Sequence, residues 1–248
     1  MHTDAAFEKC VSYIDSQFQA AGNVDALRAD RCSNPAITIS RETGAGAITV
    51  GEKLAAYLDA RSPGGPPSWT VFDKNLVEMV LEDHHLPKRL ARFMPEDRCP
   101  EIEDIMAEVL GLRPPSRALV DQIAETILHL AQRGRVILVG RGASVITRKL
   151  NNVLHVRLVG SWEKRVAQVQ QFYGMDAQSA MAFIRKNDQG RRRYLQMYFH
   201  QHIDNPLLYH MVLNTDLLPF DDVARIIGDT VLQQFGAGVP ARCPSGRD

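Results

Sequence analysis

Residues 37–55 read ITISRETGAGAITVGEKLA. β-Branched residues open the stretch, glycines at 44 and 46 follow, and a helical pattern with Val50, Leu54 and Leu58 on one face closes it. A strand that runs through a glycine turn into a helix points successive backbone N–H groups at one place, which is how such loops hold phosphate. In the usual form, GxxxxGK[ST], a lysine reaches the phosphate oxygens and a hydroxyl holds magnesium. Laid on that pattern, Gly46 takes the second glycine, while Arg41 stands at the first, Ala47 at the lysine and Ile48 at the hydroxyl. The loop expected to face phosphate is Thr43, Gly44, Ala45, Gly46, Ala47, Ile48 and Thr49, with Thr49 offering the hydroxyl that Ile48 lacks. Arg41 and Lys53 are the nearest cations, and Arg41 is preferred because a guanidinium bridges two phosphate oxygens in a fork. The alternatives are Arg41 paired with Glu42 or Asp73, and Lys53 as a solvated helix residue.

Outward from this loop, the 248 residues, 45% of them apolar, suffice for one domain of about 200 residues with an appendage. Twenty-nine basic residues balance twenty-nine acidic ones, so no global field draws in nucleic acid or anionic lipid, and any anion site is local. The cysteines at 10, 32, 99 and 243 form no CxxC pair, and no basic-then-apolar leader is visible, which predicts a reduced, cytoplasmic setting. No run reaches the roughly 18 to 20 apolar residues that span a bilayer, so no membrane partner is expected.

Five β-rich runs, AITIS, WTVFD, RVILVG, VLHVRLV and HMVLN, are each separated by a helical pattern, which predicts a parallel α/β sheet. A helix at 116–133 carries Leu119, Ile123, Ile127 and Leu130 inward, with Ser116 as N-cap and Gly134 as its stop. Another, PFDDVARIIGDTVLQQF, closes the sheet. Residues 1–35 are expected to form a helical extension, with Phe7, Val11, Ile14 and Phe18 on one face. It packs on the main domain at 36–235 or meets a protein partner or second copy. Residues 84–115 form a helical insert, and 236–248, rich in Gly, Pro and Arg, a disordered tail.

Ligands of open α/β sheets sit beyond the carboxyl ends of the strands. Asp73 stands there in VFDKN, as a ligand-positioning acid or as the N-cap of the next helix. Arg141 stands there in GRGAS, held between Gly140 and Gly142 with little surface to pack on, as a phosphate contact or a structural ion pair. In RKNDQGRRRYLQMYF, cations surround Asp188 while Gly190 weakens helix propensity. A solvated basic helix with Asp188 paired to Arg192 is one reading of that segment. Histidines 84, 85, 200 and 202 have spacings that point ligands to different helix faces, so no metal centre is expected.

Four segments, in order, resemble the cytidylate kinase-like family of nucleoside monophosphate kinases. Residues 37–55 are similar to its loop ITISREyGSGGreIGekLA, which itself lacks the lysine. GRGAS is similar to its GRD segment, with glycine in place of the acid; RKNDQGRRRYLQMYF resembles its lid tDxxRxxYyr; and YHMVLNTDLLPF resembles YDLVlNTsrl, the strand and loop beside the donor base. The resemblance implies a P-loop NTPase-like three-layer α/β domain with a five-stranded parallel sheet, a helical acceptor flap at 84–115 and a lid at 185–205. It further implies ATP with magnesium as cofactors and phosphoryl transfer to a CMP-like, dCMP-like or other small phosphorylated acceptor. In that scheme Arg41, Arg141, Asp188, Arg191 and Arg192 serve catalysis, Asp73 and Arg141 the acceptor, and Asn214 and Thr215 the adenine, unless those two only build a turn. The rival expectation is a nucleotide-binding regulatory or adaptor protein with weak or no turnover.

Overall fold

The computed structural model describes residues 34–61, 68–73 and 117–235. The expected N-terminal helix, the insert at 84–115 and the tail at 236–248 lie outside the described residues, as do the cysteines and Ser116.

All five expected strands form: β1 (Ala36–Arg41), β2 (Thr70–Phe72), β3 (Val136–Val139), β4 (Val153–Val159) and β5 (Met211–Asn214). They make one parallel sheet in the order β2-β3-β1-β4-β5. β1 is central because its apolar residues suit burial on both faces: Ala36, Ile37 and Ile39 are at most 1% exposed. Its register against β4 pairs Thr38 with His155 and Ser40 with Arg157.

Helix α1 (Ala47–Arg61) buries Val50, Leu54 and Leu58 completely, as their spacing predicts. It shares one face of the sheet with α6 (Phe220–Phe235), which contributes Val223, Ile227 and Val231. The opposite face is covered by α2 (Arg117–Arg133), through Ile123, Ile127 and Leu130. The helix stops where expected, since Gly134 turns left-handed at φ 79°. The result is a three-layer α/β fold of the P-loop kind.

A short α3 (Ala143–Ile146) follows β3. After β4, α4 (Trp162–Tyr173) starts at Ser161, whose side chain accepts the Lys164 N–H, and ends at a left-handed Gly174. The 23-residue α5 (Ala177–Phe199) starts at Asp176 and runs without interruption through Gly190. A helical glycine costs only about 1 kcal/mol, and burial of Ile184 on one side and Leu195 on the other holds the helix across it. Val169, Ala180 and Ile184 pack α4 on α5, which brings the middle of α5 to the carboxyl end of β1. Among the described residues no helix is long and apolar enough to cross a membrane.

Candidate functional site

The loop from Arg41 to Ala47 is folded tightly against its own chain. Gly44 and Gly46 have φ of 87° and 75°. A Cβ on Gly44 would stand 2.5 Å from the Arg165 carbonyl oxygen, and one on Gly46 would enter the Phe220 ring. These glycines therefore seat α4 and α6 against the loop. Thr43, Ala45 and Ala47 are buried, while Ile48 and Thr49 are partly exposed in the first turn of α1. Lys53 matches its solvated alternative: it pairs with Asp221 at 2.7 Å, both side chains open to water.

Beyond β3, Gly140, Arg141 and Gly142 all have positive φ, at 91°, 54° and 70°. A non-glycine residue there is strained, and such strain collects at functional sites. Any Cβ on Gly140 would collide with Nη1 of Arg41, so this glycine makes room for the guanidinium of the neighbouring strand. The Asp73 carboxylate, at the end of β2, acts on both Arg41 and Arg141. Tyr194 of α5 packs over Gly142. Its hydroxyl is buried with no hydrogen-bond partner among the described residues, and burial pushes its pKa up to about 12.

Asp188 does not pair with Arg192. One carboxylate oxygen accepts the Thr43 N–H at 2.8 Å and the Thr43 hydroxyl at 2.7 Å, and the other accepts Nη1 of Arg165 at 2.7 Å. Arg191 adds an ion pair at 3.5 Å and donates from both terminal nitrogens to the Thr43 hydroxyl at 2.9 Å. Burial raises the Asp188 pKa, but the Thr43 and Arg165 hydrogen bonds and the Arg191 charge outweigh it and hold the group below the usual carboxylate range. Arg192 instead donates to Asp204 at 3.0 Å, and the other oxygen of Asp204 takes Arg157 at 2.6 Å. A cleft lined by Arg41, Glu42, Arg157, Asp188, Arg191, Arg192 and Ile203 joins these groups.

Arg157 and Arg165 are the site residues the sequence reading missed. Arg157 sits inside VLHVRLV, whose burial on both faces makes a charge there costly, and that misfit is itself a signal. It is satisfied by Ser40 at 3.1 Å and by Asp204. Arg165 falls on the helical stripe of Trp162, Val166 and Val169, where a cation is out of pattern.

Asn214 and Thr215 build a turn at the end of β5. The Asn214 side chain accepts the Asp216 N–H at 2.8 Å, and Thr215 donates to the Val159 carbonyl through its N–H at 2.9 Å and its hydroxyl at 3.1 Å.

The arginines are held off balance. Burial lowers Arg41 from 12.5 to about 9, and the Arg191 and Arg141 charges add to this against the pull of Asp73. Burial likewise lowers Arg141, against Tyr194 and Asp73, and Arg191, against Asp188. A guanidinium stays charged in a protein, so the cost of burying these charges favours an anion beside them. The arrangement thus suits a ligand with phosphate or carboxylate oxygens.

A family model described as the cytidylate kinase-like family matches residues 36–217. Among solved structures, the chain is similar to an uncharacterized protein from Eubacterium ventriosum ATCC 27560, 17% identical over 80% of this chain and 98% of that one, with a TM-score of 0.58. It is also similar to a shikimate kinase from Acinetobacter baumannii in complex with shikimate, 19% identical over 84% and 97%, TM-score 0.43. A gluconokinase from Sinorhizobium meliloti 1021 is 13% identical over 83% and 95%, TM-score 0.43. The likeness to the Eubacterium protein shows a shared fold alone. No curated protein matches the chain.

Proposed function

The chain belongs to the cytidylate kinase-like family, and from that premise we propose that it transfers a phosphoryl group from ATP to a nucleoside monophosphate, CMP-like or dCMP-like, or to another small phosphorylated acceptor. The observation that supports this most is the set of three arginines, Arg41, Arg141 and Arg191, each held below its ordinary pKa by burial beside the loop after β1. Such a set favours a ligand of concentrated negative charge.

In this scheme the backbone from Gly44 to Thr49 holds the donor phosphates, and Arg41 supplies the charge that the missing lysine carries elsewhere. Arg141, with Asp73 beside it, grips the acceptor, and the turn that Asn214 and Thr215 build flanks the donor base. Arg191 and Arg192 of α5 stabilise charge spread over the moving group. Thr49 and Asp73 are the residues that would hold magnesium arriving with ATP. No strong base is required, since an acceptor phosphate is already a nucleophile.

The test is ADP production from ATP and magnesium with a panel of nucleoside monophosphates. Acceptor-dependent turnover is expected, with Arg41→Ala and Arg141→Ala each lowering kcat/KM by about 100-fold or more. ATP binding without turnover on any acceptor would instead favour the nucleotide-binding regulatory reading.

A further inference from the structure

The loop after β1 already holds an anion, and that anion belongs to the protein. Thr43 offers a backbone N–H and a hydroxyl, and Arg165 a terminal nitrogen, to the carboxylate of Asp188, 145 residues from Thr43 in sequence; Arg191, three residues on along the same helix, adds its charge at 3.5 Å while its fork donates to the Thr43 hydroxyl. A backbone N–H joined by two guanidinium groups is the donor set that recognises a phosphate oxygen. The set also has more capacity than Asp188 uses. Arg165 is only 9% exposed, and its Nε pairs electrostatically with Glu42 at 3.6 Å but makes no hydrogen bond among the described residues. A buried N–H without a hydrogen bond is capacity that an oxygen-rich ligand can take up beside Glu42.

We propose that Thr43, Arg165 and Arg191 form the seat of an anionic phosphate group of the ligand, and that Asp188 fills it in the free protein as an internal stand-in. The proposal rests on the phosphotransferase reading of the same cleft and adds a competitor to it. Ligand entry exchanges one anion for another: the carboxylate leaves for water, and Thr43 and Arg165 turn to phosphate oxygens. Observed affinity is then reduced by the fraction of molecules in which Asp188 is seated.

The two roles open to Asp188 differ in sign. A residue that only assists ligand binding weakens binding when neutralised, whereas an internal competitor strengthens it. Calorimetric titration of the full chain with inorganic pyrophosphate, and separately with ATP, should show Asp188→Asn binding pyrophosphate about tenfold more tightly than wild type. Equal or weaker binding by the variant, with wild-type binding intact, overturns the stand-in and leaves the phosphate reading standing. Failure of both proteins to bind either ligand overturns both readings. A measurement on the wild type covers the case in which the variant does not fold. The carbon-13 signal of the Asp188 carboxyl should titrate below the usual carboxylate range in the free protein and return to that range with pyrophosphate bound. A titration unchanged by pyrophosphate overturns the proposal.

Discussion

Two neighbouring rungs of the sheet, on the same face of β1 and β4, bury a base beside a hydroxyl and end differently. At the Thr38–His155 rung, Thr38 Oγ1 and His155 Nδ1 lie 2.9 Å apart. The His155 N–H donates to His210 Nδ1 at 2.9 Å, and the His210 N–H returns to the His155 carbonyl at 2.8 Å. That network closes on itself. Two residues on along that face, Arg157 takes Ser40 and Asp204 and opens into a cleft that holds three more arginines. Polar groups that complete one another make structure, while charges left in excess make a site.

The largest expected effect falls on the closed rung. Burial, with the His210 and Arg148 charges adding to it, lowers His155 from 6.5 to about 4. The unfolded chain then binds the proton near pH 6.5 and the folded chain only near 4, so stability falls as pH drops through that window. The loss should reach about 3 kcal/mol in denaturant titrations run from pH 7 to pH 4. His155→Gln should flatten that slope, and a wild-type profile without it would break the contrast between the rungs.

A pair of single-atom changes sharpens the contrast by sign. Thr38→Val leaves the buried His155 nitrogen unpaired and should cost about 1 to 2 kcal/mol of unfolding free energy. Smaller and opposite, Tyr194→Phe removes a buried hydroxyl that has no partner among the described residues, and should raise stability by about 1 kcal/mol. A loss of stability in the second variant would mean that the cleft end is as complete as the other.

Much of the fold was legible because it rests on local pattern. The five strands, α1 and the Gly134 stop follow from apolar periodicity and turn chemistry within a few residues of each. The loop after β1 and the strained Arg141 were also visible, since glycines mark them. The partners of Asp188 were not. One reading paired it with Arg192, one helical turn away, and it bonds instead to Thr43 and Arg165 through tertiary packing that no window of sequence contains. Arg157 escaped notice for a different reason: inside an apolar strand a charge passes for an outward-facing residue unless the strand is known to be buried on both sides.

The unbroken passage of α5 through Gly190 has a kinetic meaning. Twenty-three residues at 1.5 Å each make a rod of roughly 35 Å. It is pinned within its length by Asp188 on Thr43 and just past its end by Asp204 on Arg157. A stiff rod held at two points cannot swing about one without loosening the other. Exchange at Thr43 is then a rotation of the Asp188 side chain alone, with α5 and Arg191 kept in place through Arg192 and Asp204 on Arg157.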